Sequence, residues 1–199
     1  MKKKGFTLIE MIAVIVIIGI VMLIAVPAVI NYTRNSNQAV YANNIGSFLQ
    51  QAKLEYGEKQ FGPYMDDNEI MIVPISRIET TKGDNTRSPY AEFIDKQSYI
   101  VIERKGKSLY YYASAVDQMS WGLIAKREDE INNDVIEKIS SSDISTIGAL
   151  YTCNNDSYRI NINEIFVFNG ANYSPVEQRP YQDDKCSEQT PIIVLDKRP

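Results

Sequence analysis

The chain has 199 residues, a net charge of −4 and a sequence pI near 5.0, a balance that gives no electrostatic reason to expect nucleic-acid binding. It contains no histidine, which excludes His-based general base catalysis and most zinc and copper sites. The sequence has neither a Gly-rich phosphate loop nor a nucleophile–base pair, so we expect no enzyme, no cofactor and no metal.

The first predicted element is an apolar segment near the amino terminus. Met11 to Ile30 contains no charged or polar side chain, and a helix of these 20 residues spans about 30 Å, the thickness of a bilayer hydrocarbon core. Lys2, Lys3 and Lys4 precede it and favour a cytoplasmic start, with the remainder of the chain outside. The segment is therefore predicted to cross a membrane.

Glu10 is the residue that a plain membrane anchor does not explain. A carboxylate inside an apolar helix costs roughly 2.5–3.5 kcal/mol on insertion scales, and less near the interface. A secretory signal peptide cleaved at Val26-Pro27-Ala28 is another possibility, but a Glu in its apolar region and the length of the run count against it. On these grounds alone, the plain anchor and the removable signal both stay open.

The segment Lys4-Gly5-Phe6-Thr7-Leu8-Ile9-Glu10 resembles the prepilin peptidase recognition motif, in which basic residues and Gly precede an apolar residue and a Glu. This resemblance to type IV pilins covers about residues 1–55. It implies cleavage after Gly5, N-methylation of Phe6 and a role for Glu10, with Phe6, in filament assembly. Gly19 and Pro27 lie where pilins carry helix-breaking residues.

Cleavage after Gly5 would leave a cationic amine at Phe6, which can meet Glu10 of a neighbouring subunit. The pair neutralises two charges that are otherwise buried in a helix bundle, where loss of one partner costs about 3–5 kcal/mol. We therefore expect Glu10 to set the register between subunits during assembly.

A second helical segment follows the apolar run. Apolar residues recur at helical spacing with polar residues between them, which predicts an amphipathic helix with one buried face. Gly57 and Gly62-Pro63 are expected to end it. Pro27 and Gly19 predict a kink, and whether they only bend the helix or let it extend in a filament is left open. The predicted buried face comprises Tyr41, Ile45, Phe48, Leu49, Ala52 and Tyr56.

Beyond Pro63 the periodicity changes from helical to mostly strand-like. Glu69 to Pro74 begins this variable segment, and Ser98–Glu103 with Ser108–Ser114 predicts a β-hairpin around Arg104-Lys105-Gly106-Lys107. Tyr110-Tyr111-Tyr112 is expected to place rings on both faces of the second strand, as sheet packing rather than a ligand site.

Further strands are predicted at Met119–Ala125 and around residues 146–153, 158–162 and 164–168. The charged stretch from Lys126 to Ile139 is interpreted as a surface helix with its apolar residues on one side. Those residues are Ile131, Val135, Ile136 and Ile139.

One helix packed on a mostly antiparallel sheet predicts an α+β fold, which is also the architecture that the pilin resemblance implies. We divide the chain into a leader at residues 1–5, a membrane or filament-core helix half at 6–30, an amphipathic half at 31–58 and a globular head at 59–199.

Cys153 and Cys186 are too far apart for a CxxC site, and two thiols cannot form a Cys-only zinc site. A disulfide or two unpaired thiols remain. Disulfides persist at a cell surface, and closing a loop of this size contributes about 3–4 kcal/mol in the loop-entropy estimate. Pilins often join their C-terminal region in this way, so the resemblance favours the disulfide.

The resemblance implies a structural subunit of a type IV pilus, inserted in the cell membrane with its head outside and then assembled into an extracellular filament. The implied partners are the membrane, the prepilin peptidase and methylase, the pilus assembly machinery, other pilins and further copies of this chain. A minor pilin or pseudopilin of a secretion or DNA-uptake apparatus shares the same leader and is the alternative. A membrane-anchored surface binding protein is a third, weaker interpretation.

Overall fold

The computed structural model describes residues 7–62, 64–67, 69–78, 87–94 and 97–141, together with the backbone of five strands between residues 150 and 192. The chain divides into two compact units, Met1–Asn37 and Gln38–Pro199.

Helix α1 spans Leu8–Gly57, and Gly19 and Pro27 both lie inside it. Its end at Gly57 confirms the predicted stop. In the second unit the helix buries the face that the periodicity predicted, together with Ala42 and Glu55. The buried residues of α1 are Tyr41, Ala42, Ile45, Phe48, Leu49, Ala52, Glu55 and Tyr56.

The strands among the described residues are β1 (Ile70–Pro74), β2 (Tyr99–Lys105), β3 (Ser108–Val116), β4 (Trp121–Arg127), β5 (Glu137–Lys138), β6 (Leu150–Cys153), β7 (Asp156–Arg159), β8 (Phe166–Phe168), β9 (Tyr173–Pro175) and β10 (Gln189–Ile192). They form two antiparallel sheets, of seven strands in the order β5-β4-β3-β2-β1-β8-β9 and of three in the order β10-β6-β7. The long helix with the seven-stranded sheet confirms the α+β prediction.

The sheet has a buried cluster on each face because successive strand residues point to opposite sides. On β2, Ile100 and Ile102 join the cluster that contains the buried face of α1, whereas Tyr99 and Val101 join the other. On β3, Tyr111 packs against the helix-side cluster and Tyr112 belongs to the opposite one, which confirms the prediction of rings on both faces.

The predicted β2–β3 hairpin is confirmed. Lys105 pairs with Ser108, so Gly106 and Lys107 form a two-residue turn. Gly106 has a φ of 60°, a conformation that such turns require and that glycine adopts without a steric cost.

The segment from Glu69 to Pro74, which the sequence left unassigned, contains strand β1 in the interior of the sheet. β1 pairs with β2 on one side and with β8 on the other. The strands predicted around 146–153, 158–162 and 164–168 are confirmed as β6, β7 and β8, and β7 begins two residues before the predicted strand. Residues 146–149 and 160–165 lie outside the described residues.

The strand predicted at Met119–Ala125 is confirmed as β4, two residues later along the chain. Asp117 explains the shift, because its buried carboxylate accepts hydrogen bonds from the backbone N–H groups of Met119 and Trp121, both at 2.9 Å. These bonds hold residues 117–120 in a turn, and Ser120 adopts a φ of 63° there.

The predicted surface helix at Lys126–Ile139 is wrong. Strand β4 continues to Arg127, and two single 3-10 turns, Glu128–Glu130 and Asn133–Val135, lead into β5. A helix would place Ile136 and Ile139 on one side, but Ile136 is buried in the helix-side cluster and Ile139 in the cluster on the opposite face. The Asn132 side chain also accepts a hydrogen bond from the Asp134 N–H at 2.8 Å, a local bond that competes with helix formation.

Candidate assembly site

Glu10 lies in the first turn of α1 and is bonded to Thr7. The Thr7 backbone N–H and hydroxyl donate to Glu10 Oε2 at 2.7 and 2.8 Å, and the Glu10 N–H donates to Thr7 Oγ1 at 3.4 Å. This reciprocal arrangement is a capping box, which satisfies backbone N–H groups that the start of a helix leaves without partners.

Sequence reasoning missed the role of Thr7. The spacing Thr7-x-x-Glu10 before an apolar run is the recognisable signal of a capping box, and it was present in the chain. The pilin resemblance implies a partner for Glu10 in a neighbouring subunit. The structure shows that the carboxylate already has a partner in its own chain.

The first part of α1 exposes its apolar side chains on all sides. Every residue from Leu8 to Ser36 is exposed, and Leu8 reaches 81% of its full accessibility. Soluble proteins expose single apolar side chains but rarely a continuous surface of this extent. The helix is long and apolar enough to cross a membrane. A helix that is apolar all round requires cover from lipid or from other helices.

Gly19 lies on this exposed surface. Apart from its chain neighbours and the surrounding helix backbone, a Cβ atom at Gly19 would have no atom within 4 Å, so packing within the described part of the chain does not require glycine there. Glycine inside a helix costs about 1 kcal/mol relative to alanine. Packing within the described part of the chain therefore does not account for Gly19.

Several predicted site residues cannot be placed. Gly5, Phe6 and Cys186 lie outside the described residues, whereas Cys153 is the last residue of β6. The disulfide therefore stays a prediction. Within the described part of the chain, no three acidic or cysteine side chains come together as metal ligands.

Two comparisons with known proteins gave a match. A family model described as "Prokaryotic N-terminal methylation motif" matches residues 1–26. A Thermus thermophilus protein described as "Type IV narrow pilus major component PilA5" is 59% identical over 39 residues, which cover 20% of this chain and 34% of that protein. The match thus spans about a third of the relative's length. These findings support a type IV pilin-like family.

The pilin-like features coincide with the exposed surface of α1. The matched residues 1–26 include Glu10 and Gly19 and cover most of the apolar run. The helix and antiparallel sheet are consistent with a pilin fold, although no solved structure matches the chain. The methylation motif and an apolar helix long enough to cross a membrane together support membrane association.

Proposed function

We propose that this chain is a structural subunit of a type IV pilus. The supporting observation is a helix that is exposed and apolar on all sides, preceded by a motif that the family uses for cleavage and methylation. In this proposal the precursor is inserted in the membrane with its head outside, the peptidase cuts after Gly5, and Phe6 is N-methylated. Assembly then transfers the apolar surface from lipid to the helices of neighbouring subunits.

In the proposed assembly, Glu10 combines a local and an intermolecular role. Both Thr7 bonds end on Oε2, and an ionised carboxylate can accept about four hydrogen bonds. The amine of Phe6 from a neighbouring subunit can therefore bind Glu10 without breaking the capping box. An ion pair removed from water requires close geometry, so it fixes the axial position of one subunit on the next.

Gly19 and Pro27 are proposed to let this part of α1 extend within the filament. Proline lacks an N–H and its ring clashes with the carbonyl four residues earlier, so the helix is weakest where these residues lie. A disulfide between Cys153 and Cys186 is proposed to close the C-terminal region of the head.

The mass of the mature amino terminus tests the processing steps. We expect the membrane-extracted protein to begin at N-methylated Phe6. A protein that begins at Met1 would establish an uncleaved anchor, and one that begins at Val29 would establish a signal peptide, and either result contradicts the proposal.

Filament assembly is tested by Glu10→Gln, which keeps the shape of the side chain and removes its charge. We expect the variant to be inserted and processed but strongly reduced in sheared filaments, measured by immunoblot against the membrane fraction. Glu58→Gln, an exposed carboxylate beyond the end of α1, is the matched control and should assemble normally. Normal assembly of Glu10→Gln would refute the proposed ion pair.

The abundance of the chain in purified filaments separates the major subunit from a minor pilin or pseudopilin. The relative named above is a major pilus component, which favours the major role. Filaments in which this chain dominates would agree, whereas trace amounts would indicate the minor role.

A further inference from the structure

We propose that residues 31–36 of α1, here called the collar, bind the headgroup layer on the outer side of a phospholipid bilayer. The collar follows directly after the apolar run, and Tyr32 and Arg34 are the two residues that carry the interaction. The inference rests on the proposed membrane insertion and adds to it the depth at which α1 lies. The collar would hold the helix at that depth before assembly.

The collar begins where the apolar run ends. Ile30 is the last residue of the run, and residues 31–36 read Asn-Tyr-Thr-Arg-Asn-Ser, without an aliphatic side chain. All six are exposed, and α1 continues through them. At 1.5 Å per residue they occupy about 9 Å of the helix, a length comparable with the polar layer on one side of a bilayer.

Tyr32 has a ring that folding of the chain does not use. It retains 76% of its accessibility, and its side chain forms no ring contact or hydrogen bond with another described residue. Tyrosine is enriched where hydrocarbon meets headgroups, because its ring favours the apolar side and its hydroxyl group reaches water. Tyr32 lies two residues beyond Ile30, at the position where this boundary is expected.

Arg34 is the one charged residue of the sequence between Glu10 and Lys53. It is exposed and forms no ion pair within the described part of the chain. A guanidinium binds phosphate with two parallel hydrogen bonds, so phospholipid headgroups supply a counter-ion. Arg34 is about 200° around the helix from Tyr32, nearly on the opposite side. A headgroup layer surrounds the helix and reaches both residues, whereas one neighbouring helix contacts one side.

The spacing between Glu10 and Tyr32 agrees with this depth. The two residues are 32 − 10 = 22 positions apart on one helix, a separation of about 33 Å, close to the thickness of a hydrocarbon core. With Tyr32 at the outer boundary, Glu10 lies at the inner one. A carboxylate costs less there than at the bilayer centre, and the Thr7 bonds satisfy part of its hydrogen-bonding capacity.

The test measures the depth of single positions in the full-length chain, reconstituted at a low protein-to-lipid ratio in vesicles of phosphatidylcholine and phosphatidylglycerol. Val21→Trp, Tyr32→Trp and Val40→Trp each add one tryptophan at an exposed position, and the emission of the unsubstituted chain, which contains Trp121, is subtracted. Lipids brominated at defined acyl positions report the depth. We expect strongest quenching of Val21→Trp near the bilayer centre, of Tyr32→Trp near the headgroups, and almost none of Val40→Trp.

Removal of the two collar side chains tests whether they fix this depth. With Tyr32→Ala and Arg34→Gln added to Val21→Trp, we expect the quenching profile to spread over about one helical turn more of depth, because α1 is no longer held at one position. The matched control adds Tyr64→Ala and Arg77→Gln, the same two changes at exposed positions of the head. The control should leave the profile unchanged.

The outcomes separate failure of the collar from failure of membrane insertion. The collar is refuted if Tyr32→Trp is quenched most at the bilayer centre, or not at all while Val21→Trp is quenched. Equal spreading in the control, or headgroup-depth quenching that appears only at a high protein-to-lipid ratio, also refutes it, the latter by assigning the collar to other copies of the chain. Absence of quenching for Val21→Trp would contradict membrane insertion itself.

Discussion

The two parts of helix α1 carry different hydrophobic patterns and have different partners. Residues 8–30 are apolar on every side and exposed, whereas the part between Tyr41 and Tyr56 has one apolar stripe, buried against the sheet. An apolar stripe is the pattern of a helix whose partner is in its own chain. A helix that is apolar all round is covered by lipid or by other chains. The same secondary structure therefore serves folding in one part and, in our proposal, assembly in the other.

The two parts also each contain a carboxylate with a hydrogen-bond partner nearby on the helix. Glu10 accepts from Thr7, and buried Glu55 accepts from Gln51 Nε2 at 2.9 Å. The two carboxylates differ in their surroundings, since Glu55 is buried in the head and Glu10 lies on the exposed apolar surface.

The largest expected effect is the loss of head stability when a buried isoleucine of the second part is replaced by alanine. The same substitution at an exposed isoleucine of the first part is the comparison. Ile45 is fully buried and Ile17 is 61% exposed. Ile45→Ala should reduce the free energy of unfolding of the head by about 3 kcal/mol, through lost burial and a residual cavity. Ile17→Ala should change it by less than about 0.5 kcal/mol. Urea unfolding followed by Trp121 fluorescence measures both, and equal effects would break the contrast between the two parts.

Removal of one hydroxyl group from the buried stripe of α1 should lower the free energy of unfolding of the head by a moderate amount. Tyr41 donates to the carbonyl oxygens of Ala115 and Trp121, at 3.2 and 3.0 Å, and so links α1 to β3 and β4. Tyr41→Phe keeps the ring and should cost about 1–2 kcal/mol in the same unfolding experiment. Tyr32→Phe, at an exposed position of α1 just after the apolar run, is the control and should leave the free energy of unfolding of the head unchanged.

Loss of the capping box should act only on the first turn of α1. Thr7→Ala should weaken that turn by about 1 kcal/mol, the usual cost of an N-cap deletion, and Thr7→Ser should not. Hydrogen exchange in nanodiscs measures the effect as faster exchange of the amides just after Leu8, with unchanged protection from Tyr41 to Tyr56. Thr33→Ala makes the same side-chain change inside the helix, and equally fast exchange there would contradict the capping role.

The smallest expected effect is a decline in the stability of the head at alkaline pH. The pKa of Tyr111 is raised from 10.0 to about 12, chiefly by burial, so its contribution to stability is fully present below pH 10. This contribution is lost as the pH rises through about 12. Because the residue is only half-buried, we expect a shallow decline in head stability over this interval, reduced in Tyr111→Phe. Unfolding midpoints measured from pH 9 to 12 test it, and an unchanged slope in the variant would refute it.

Local patterns predicted the features that depend on near neighbours in the chain. The apolar run, the buried face from Tyr41 to Tyr56, the stop at Gly57 and the Gly106 turn all follow from periodicity or from one residue's conformational range. The capping box at Thr7 and Glu10 was equally local and was overlooked. The assignment of Glu10, Gly19 and Pro27 to assembly came from resemblance and stays a prediction.

The sequence by itself determined that helix α1 has an apolar first part and an amphipathic second part, because hydrophobic periodicity depends only on residue spacing. Tertiary structure decided which strands of the head pair and which side chains each face of the sheet buries. The interior position of β1 depends on pairing with distant strands, and Ile136 and Ile139 are drawn to opposite faces of a sheet that no local pattern specifies. Such features arise from contacts between residues far apart in sequence, whose free energies exceed the weak preferences of a short segment.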